Sequence, residues 1–414
     1  MSALANILVD LGHGVSGVDY SKKYFTQATF RESIVVENFE NYKLNDKFFY
    51  IIGNAFKLSE ITREIMDKGY HFEFYPEFLE SFFKMRKIGI SGSHGKTTTT
   101  SLISQLSFQT LNVLIGDGTG IGNKNAEYFL FEACEYQNHF LKYTFDYLVI
   151  LNIDYDHPDF FKNATEYTFA FQKAALNAKC LIVNFDDDNC KKIVHNNKIS
   201  FGFNPNSDVV LRLDDNKLYI TVDDQQYEMD FLFYGKHMAY NLGAAFVVSY
   251  LLGDDPYVTI KNIPFLKMPR RRMNEKIYNN SVILVDDYGH HPTEIKAVIV
   301  SLRIKYPEHK IVVVYQGHTY SRTITFFDNY VSALLEADEI YIMPIFSSVR
   351  EEEFDEWALL RGSEKFRKYS KTCMEKLVES QNIVIAFIGA GDIDSEFIFL
   401  NKKLNYWKRV THML

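Results

Sequence analysis

Residues 89 to 100 read GISGSHGKTTTT, and within them Gly92, Gly95, Lys96 and Thr97 supply the parts of a phosphate site. Backbone N–H groups of a glycine-rich turn entering a helix N-terminus bind anions; a lysine there reaches outer phosphates, and a threonine hydroxyl takes Mg2+. Ser93, His94 and Thr98 lie in the same stretch and join the nucleotide-binding candidates. The spacing departs from G-x-x-x-x-G-K-[ST], because position 90 is Ile and the nearest earlier glycines are Gly89 and Gly92. The plain alternative is a glycine turn with an exposed lysine. Against it, G-K-T-T sits between Lys87-Ile88, read as the end of a strand, and TTTTSLISQL, which has helical apolar spacing.

Further candidates follow other apolar runs. FEACEYQNHF brings Glu132, Glu135 and His139 after YFLF, and Mg2+ takes hard oxygen ligands. Taken alone, such a stretch is more often a solvated acidic turn. LVILNIDYDHPDFF ends in Asn152, Asp154, Asp156 and His157, a set suited to metal and phosphate. GKHMAYNLGAA puts His237 and Asn241 one helical turn apart, on one face that could meet an adenine edge. VDDYGHHPTEI gathers Asp286, Asp287, Tyr288, His290 and His291 before Pro292, a residue suited to a helix start. Zinc at the two histidines lacks a third ligand at helical spacing. YQGHTYSRT presents His318, Ser321 and Arg322, and an arginine can grip a carboxylate through two parallel bonds.

These residues must be carried by a scaffold. FFYIIGNA, DYLVILNID, AKCLIVNFD, SVILVDDYG, HKIVVVYQG, DEIYIMPIF and NIVIAFIGAG read as strands alternating with helical segments, which predicts an α/β fold with parallel sheets. Ligands in such sheets collect at the carboxyl ends of strands. Residues 201 to 234 alternate instead between short runs and Asp/Asn turns, as in an antiparallel meander accessory to the main sheet. Joins are expected at Lys84, Arg86, Lys87 and at MPRRRMNEK, giving pieces 1–86, 87–264 and 265–414. MSALANILVDLG reads as a helix, and GVSGVD as a strand whose Asp19 could face a ribose. A doubly wound domain has its first strand in mid-sheet, so Met1 reads as an internal methionine of a longer chain.

The 414 residues exceed one ordinary core at ~150 residues per domain. A net charge of −8 argues against nucleic acid as the main partner. Four cysteines without CxxC spacing suggest neither a disulfide framework nor a zinc ribbon, and a reducing cytoplasm fits. No apolar run reaches the ~20 residues of a membrane span, and the N-terminus lacks signal-peptide features.

Assembled, G-[ST]-H-G-K-T-T, E-A-C-E-Y, N-I-D-x-D-H-P-D, G-x-H-x-x-x-N, R-R-x-N-E-K and D-D-Y-x-H-H-P-T-E resemble the Mur ligase family over nearly the whole chain. Members add amino acids to UDP-N-acetylmuramate with ATP, and D-D-Y-G-H-H-P favours the member that adds L-alanine. The resemblance implies three domains: a Rossmann-like N-terminal domain for the UDP-sugar, here lacking its first strand, a central P-loop ATPase-like domain, and a C-terminal Rossmann-like domain for the amino acid. It implies that Lys96 contacts the outer phosphates, that Thr97 and Glu132 hold one Mg2+ and His157 a second, and that His237 and Asn241 recognise adenine. Arg272 falls where an arginine approaches the γ-phosphate, and Asp287 where the third domain reaches the nucleotide. Tyr288, His290 and His291 match neighbouring site positions, and His318 and Arg322 positions near the amino acid and the muramyl carboxylate. Lys96, His157, Arg272, His290 and Arg322 are thereby catalytic candidates; Asp19, Glu132 and Asn152 join the substrate-binding ones. Thr319 stands where some relatives have a second arginine, and Lys173 is a loose candidate for carbamylation that is not assigned.

In the scheme so implied, the lactyl carboxylate attacks the γ-phosphoryl group, and L-alanine's amine displaces phosphate from the acyl phosphate. The expected partners are small molecules, with neither nucleic acid nor membrane, and the expected state is a monomer or homodimer. Competing expectations are a recycling ligase adding a tripeptide to the same sugar nucleotide, a P-loop kinase or transport ATPase, and a degenerate relative that binds nucleotide without catalysis.

Overall fold

Ile311–Tyr315 and Ile383–Ile388 are continuous apolar runs buried on both faces, the signature of central strands in a parallel sheet covered by helices. The computed structural model describes residues 1–20, 25–278, 281–346 and 355–411. It forms two compact units. One contains Met1–Asp154, Thr165–Asp230 and Tyr240–Lys267; the other contains Tyr155–Ala164, Phe231–Ala239 and Met268–Leu414.

The first unit begins with the helix Ser2–Asp10. Strands β1 (Ser16–Asp19) and β2 (Val35–Asn38) pair in parallel, as do β3 (Tyr50–Ile52) and β4 (Phe72–Phe74), in two separate two-stranded sheets. Ten strands form the main sheet: β5 (Arg86–Ser91), β6 (Leu111–Leu114), β7 (Gly120–Ile121), β8 (Tyr128–Glu132), β9 (Phe145–Ile150), β10 (Ala178–Asn184), β11 (Lys198–Gly202), β12 (Val209–Asp214), β13 (Lys217–Val222) and β14 (Gln225–Asp230). Their order is β14-β13-β12-β11-β10-β9-β5-β8-β6-β7. Because β5 lies in parallel between β8 and β9, Ile90 is in register with Glu132 and Ser91 with Ile150, so three strands end side by side. The N-terminal helix docks on the turn between β6 and β7. Asn6 donates to the carbonyls of Thr29 and Gly118 at 2.9 and 3.2 Å, and Arg31 pairs with Asp10 at 2.8 Å. A Cβ at Gly120 would lie 1.9 Å from the Ala3 carbonyl oxygen, so this close approach requires glycine.

The expected meander is present as β12–β14, antiparallel throughout. It is a continuation of the main sheet: residues 201 and 202 end β11, which runs parallel to both β10 and β12. On β14, Tyr227 and Met229 are buried and Glu228 and Asp230 exposed, the alternation of a strand with one wet face.

In the second unit β15 (Asn274–Tyr278), β16 (Val282–Asp287), β17 (Lys310–His318), β18 (Glu339–Phe346), β19 (Phe366–Lys368) and β20 (Ile383–Ile388) are ordered β15-β16-β20-β17-β18-β19, parallel except for β15. Alternation along the strands separates two cores. Val285, Val313, Tyr315 and Ala386 pack with the helix Pro292–Lys305, while Leu284, Val312, Val314 and Ile385 pack with Phe397 and Leu400 of the C-terminal helix. All four cysteines are free thiols. Among the described residues no helix is long and apolar enough to cross a membrane.

Candidate active site

The phosphate loop is shorter than the sequence suggested. Strand β5 continues to Ser91, so Gly89 and Ile90 are strand residues rather than loop. Gly89 is there for packing: a Cβ would lie 2.4 Å from the Phe145 ring. The loop proper is Gly92–Gly95, with φ of +134° at Gly92 and +84° at Gly95. Asn152 holds it from β9's end, accepting the His94 N–H at 2.8 Å and donating to the His94 carbonyl at 3.1 Å. Ser93 Oγ donates to the Asp154 carbonyl at 2.7 Å and contacts Tyr167 Oη at 2.8 Å, and the His94 ring lies 2.9 Å from the Asp154 carboxylate. Asn152 thus fixes the loop backbone, and Asp154 holds the Ser93 and His94 side chains. Asn241 lies against it too, accepting from Thr99 Oγ1 at 3.3 Å. It sits one turn after His237 on the helix Lys236–Leu251.

The helix Lys96–Leu106 starts directly on this loop, with Thr98 buried in its first turn. Thr97 Oγ1 donates to Glu132 Oε2 at 3.1 Å, and the other carboxylate oxygen accepts the Gly116 N–H. A hydroxyl and a carboxylate so close are the hard oxygen donors Mg2+ takes, so these residues fit the ion. Lys96 Nζ donates to Glu135 Oε2 at 2.9 Å, to the Ser93 carbonyl at 3.2 Å and to the Gly92 carbonyl. Burial would lower the lysine pKa, but Glu135, with Cys134 and Glu132, outweighs it, and the ammonium is pushed up to about 12. Asp19 is half-buried at the end of β1, and Lys173 is exposed, its ammonium 4.6 Å from the Phe169 ring centroid.

In the second unit Arg322 is the hub. Its Nε lies 2.8 Å from Asp156 Oδ1 and its Nη2 3.3 Å from Oδ2, while Nη1 lies 3.3 Å from His318 Nδ1 and Nη2 3.4 Å from His157 Nδ1. The two-point grip expected for a substrate carboxylate is made here with Asp156. His157 takes a left-handed backbone, φ +56°. His291 caps the helix Pro292–Lys305: its Nδ1 accepts the Thr293 N–H at 3.4 Å, while Glu294 accepts the His291 N–H at 3.3 Å. Glu294 also accepts the His290 N–H at 3.0 Å and lies 3.7 Å from Arg272. The Arg272 guanidinium sits 5.5 Å from the Tyr288 ring centroid. Burial pushes His290 down to about 3 and His237 down to about 4, so both are neutral imidazoles at neutral pH. Asp287 accepts N–H bonds from Met273 at 2.8 Å and Gly289 at 2.7 Å, and burial raises its pKa.

Arg271 and Glu294 are positions at the site that sequence reasoning did not single out, and Glu135, raised there as an oxygen ligand for Mg2+, is instead paired with Lys96. Arg271 is buried with φ +54°, donates to the Gly389 and Gly391 carbonyls at 2.6 and 3.1 Å, and meets Asp286 at 3.3 Å. The only signals available were its place in the run RRR and the Glu at the third position of the helix begun by HHPTE.

Residues 90–249 match the Mur ligase middle domain, and residues 271–386 match the Mur ligase glutamate ligase domain. The chain belongs to the Mur ligase family. It is 37% identical to a UDP-N-acetylmuramate–L-alanine ligase of Streptococcus thermophilus, over 95% of this chain and 92% of the relative. It is 35% identical to the ligase of that name from Streptococcus agalactiae serotype III, over 95% and 93%. The crystal structure of UDP-N-acetylmuramate–alanine ligase from Thermotoga maritima superposes with a TM-score of 0.80 at 22% identity, covering 98% of this chain and 96% of that one. The fold is therefore the Mur ligase fold. In this Mur ligase the glycine-rich loop, Glu132, Asn152, Asp287 and His318 lie at the carboxyl ends of β5, β8, β9, β16 and β17, where parallel α/β sheets collect ligands.

Proposed function

We propose that this Mur ligase joins L-alanine to the lactyl carboxylate of UDP-N-acetylmuramate, driven by ATP, in the synthesis of peptidoglycan precursors. Identity of 35–37% over 95% of the chain to ligases named for that reaction supports the substrates. The observation that carries the chemistry is the Gly92–Gly95 loop with Thr97 held 3.1 Å from Glu132 at the helix start: an anion site built beside a hard-oxygen cation site.

A carboxylate is a poor acylating group, so ATP activates it as an acyl phosphate, and the L-alanine amine then displaces phosphate. From the first unit, the loop of Gly92, Ser93, His94 and Gly95, with Lys96, Thr97 and Thr98 at the helix start, binds the phosphates. Thr97 and Glu132 would hold one Mg2+, and His157 of the second unit would contribute to a second. When bound, the metal neutralises phosphate charge. Asn152 fixes the loop backbone through His94, and Asp19 contributes to the UDP-sugar. His237 and Asn241 recognise adenine, Arg272 offsets charge on the γ-phosphate, and Asp287 fixes the backbone after Arg272 through the Met273 N–H. Tyr288, neutral His290, His291, His318 and Arg322 orient the muramyl carboxylate and L-alanine. Arg322 keeps its bond to Asp156 and presents its remaining N–H edge beside His318 and His157. The domains in this reading are 1–86, 87–264 and 265–414, acting in the cytoplasm as a monomer or homodimer.

The test is phosphate release measured with ATP, Mg2+ and each acceptor in turn. Release requiring both UDP-N-acetylmuramate and L-alanine supports the reading. Release with a tripeptide but not with L-alanine would assign the chain to recycling, and release needing neither substrate would make it a plain ATPase.

A further inference from the structure

Two consecutive residues at the start of one helix are matched by two carboxylates three positions apart, one ending β8 and one just beyond it. Thr97 meets Glu132 and Lys96 meets Glu135, at 3.1 and 2.9 Å. The Thr97 pairing belongs to the cation site described above. The Lys96 pairing has no part in it. Glu135 is 1% exposed, and a buried carboxylate next to a phosphate loop is unfavourable twice over: it loses hydration, and it repels the phosphate the loop binds. Stability does not account for it, since a buried ion pair is often no better than apolar residues of the same volume.

What the carboxylate supplies is placement. An ammonium has three N–H donors, and three acceptors meet this one: the Gly92 carbonyl, the Ser93 carbonyl and Glu135. Each acceptor is itself fixed. The loop is tied to Asn152 and Asp154, and Glu135 precedes the turn Tyr136–Lys142, where Gln137 and Asn138 hold left-handed backbone at φ 53° and 58°. A lysine otherwise carries its charge on a flexible four-carbon stem. We propose that Glu135 is a positioning residue for the ligase reaction: it holds the Lys96 ammonium over the glycine-rich loop, so that the charge is in place before phosphate charge develops. This rests on the assignment of Lys96 to the phosphates made above.

The experiment compares Glu135→Gln, Glu135→Asp and Lys96→Ala in the full chain by steady-state kinetics, by calorimetric titration with ADP, and by urea unfolding. Glu135→Gln keeps the shape and removes the charge. It should lower kcat about tenfold or more while KM for ATP stays within about threefold, because what is lost acts in the transition state and not in ground-state binding. ADP should bind equally well or more tightly, since a repelling carboxylate is gone. Glu135→Asp, which keeps the charge and shortens the reach, should recover part of kcat, and it carries the test if the Gln variant does not fold. Wild-type kcat in Glu135→Gln, or a fall in kcat matched by an equal fall in ADP affinity, overturns the proposal. If Lys96→Ala is inactive while Glu135→Gln is fully active, only the role of Glu135 falls. An active Lys96→Ala removes the phosphate assignment itself.

Discussion

Arg322 and Asp156 form a two-point ion pair, 2.8 Å from Nε to Oδ1 and 3.3 Å from Nη2 to Oδ2, with side chains only 5% and 3% exposed. Asp156 Oδ1 also accepts the His157 N–H at 2.7 Å, so the pair braces the left-handed residue beside it. Burial would raise the aspartate pKa, but Arg322, helped by His157, holds it well below the usual carboxylate range. Removing one partner leaves an uncompensated buried charge, so Asp156→Asn should lose about 3–5 kcal/mol by chemical denaturation. The double variant Asp156→Asn with Arg322→Met should lose less than the two singles together. Strict additivity would count against the pairing.

Lys96→Ala should reduce ATP-dependent amide formation by about 10²-fold or more, the scale of losing one preorganised charge contact. Near-ultraviolet circular dichroism should keep its native signature. Retained turnover in a coupled phosphate-release assay would show that the loop lysine lies outside the reaction.

Glu132→Gln should raise the Mg2+ concentration for half-maximal activity by more than about tenfold, since a neutral amide is a weaker ligand for a hard cation. Chelation with EDTA should abolish turnover in the parent protein. An unchanged Mg2+ titration in the variant would remove Glu132 from the cation site.

Acid should destabilise the protein through its half-buried imidazoles. His237 and His290 stay neutral in the fold down to about 4 and about 3, whereas in the unfolded chain each takes a proton below 6.5. Between these limits the unfolded state binds more protons, and each histidine costs about 1.4 kcal/mol per pH unit as pH falls. Asp286 acts oppositely. Burial raises it from 3.8 to about 6, so the folded state keeps a proton that the unfolded state releases across that window. Asp287, also raised by burial, acts as Asp286 does, so the histidine contribution is read by difference. In urea titrations at stepped pH from about 6 to 4, replacing both histidines with Gln should remove a fall in stability of about 1.4 kcal/mol per unit for each. A slope untouched by those substitutions would mean the imidazoles ionise freely.

Gly120→Ala should loosen the N-terminal helix from the β6–β7 turn, because the added methyl has the Ala3 carbonyl in its way. Overpacking of this kind costs about 1–3 kcal/mol. Hydrogen exchange in residues 2–10 should accelerate while β8 and β9 stay protected; unchanged protection would mean that the helix is held elsewhere.

Local patterns were legible in the sequence, and distant pairings were not. The apolar runs gave the α/β class, and the alternation over 201–234 gave the meander, because each depends on neighbours in the chain. The start of the loop was misjudged because Gly89 answers to the Phe145 ring, a tertiary reason for glycine that looks identical to a conformational one. Which of Arg270, Arg271 and Arg272 turns inward is decided by carbonyls at Gly389 and Gly391, far along the chain. The grip of Arg322 on Asp156 spans 166 positions. A bidentate arginine was anticipated from residue type, but its partner could come only from the fold.

β14 is the last strand of the ten-stranded sheet among the described residues, and Glu228 and Asp230 project from its wet face, with Lys217 of the adjacent strand 3.2 and 2.7 Å from their carboxylates. A second molecule approaching that rim would bring the same carboxylates toward these, and the lysine that could neutralise them is already engaged. The largest sheet in the protein therefore ends in a border that discourages templated growth from copy to copy, leaving its interior free to stay as apolar as the core demands.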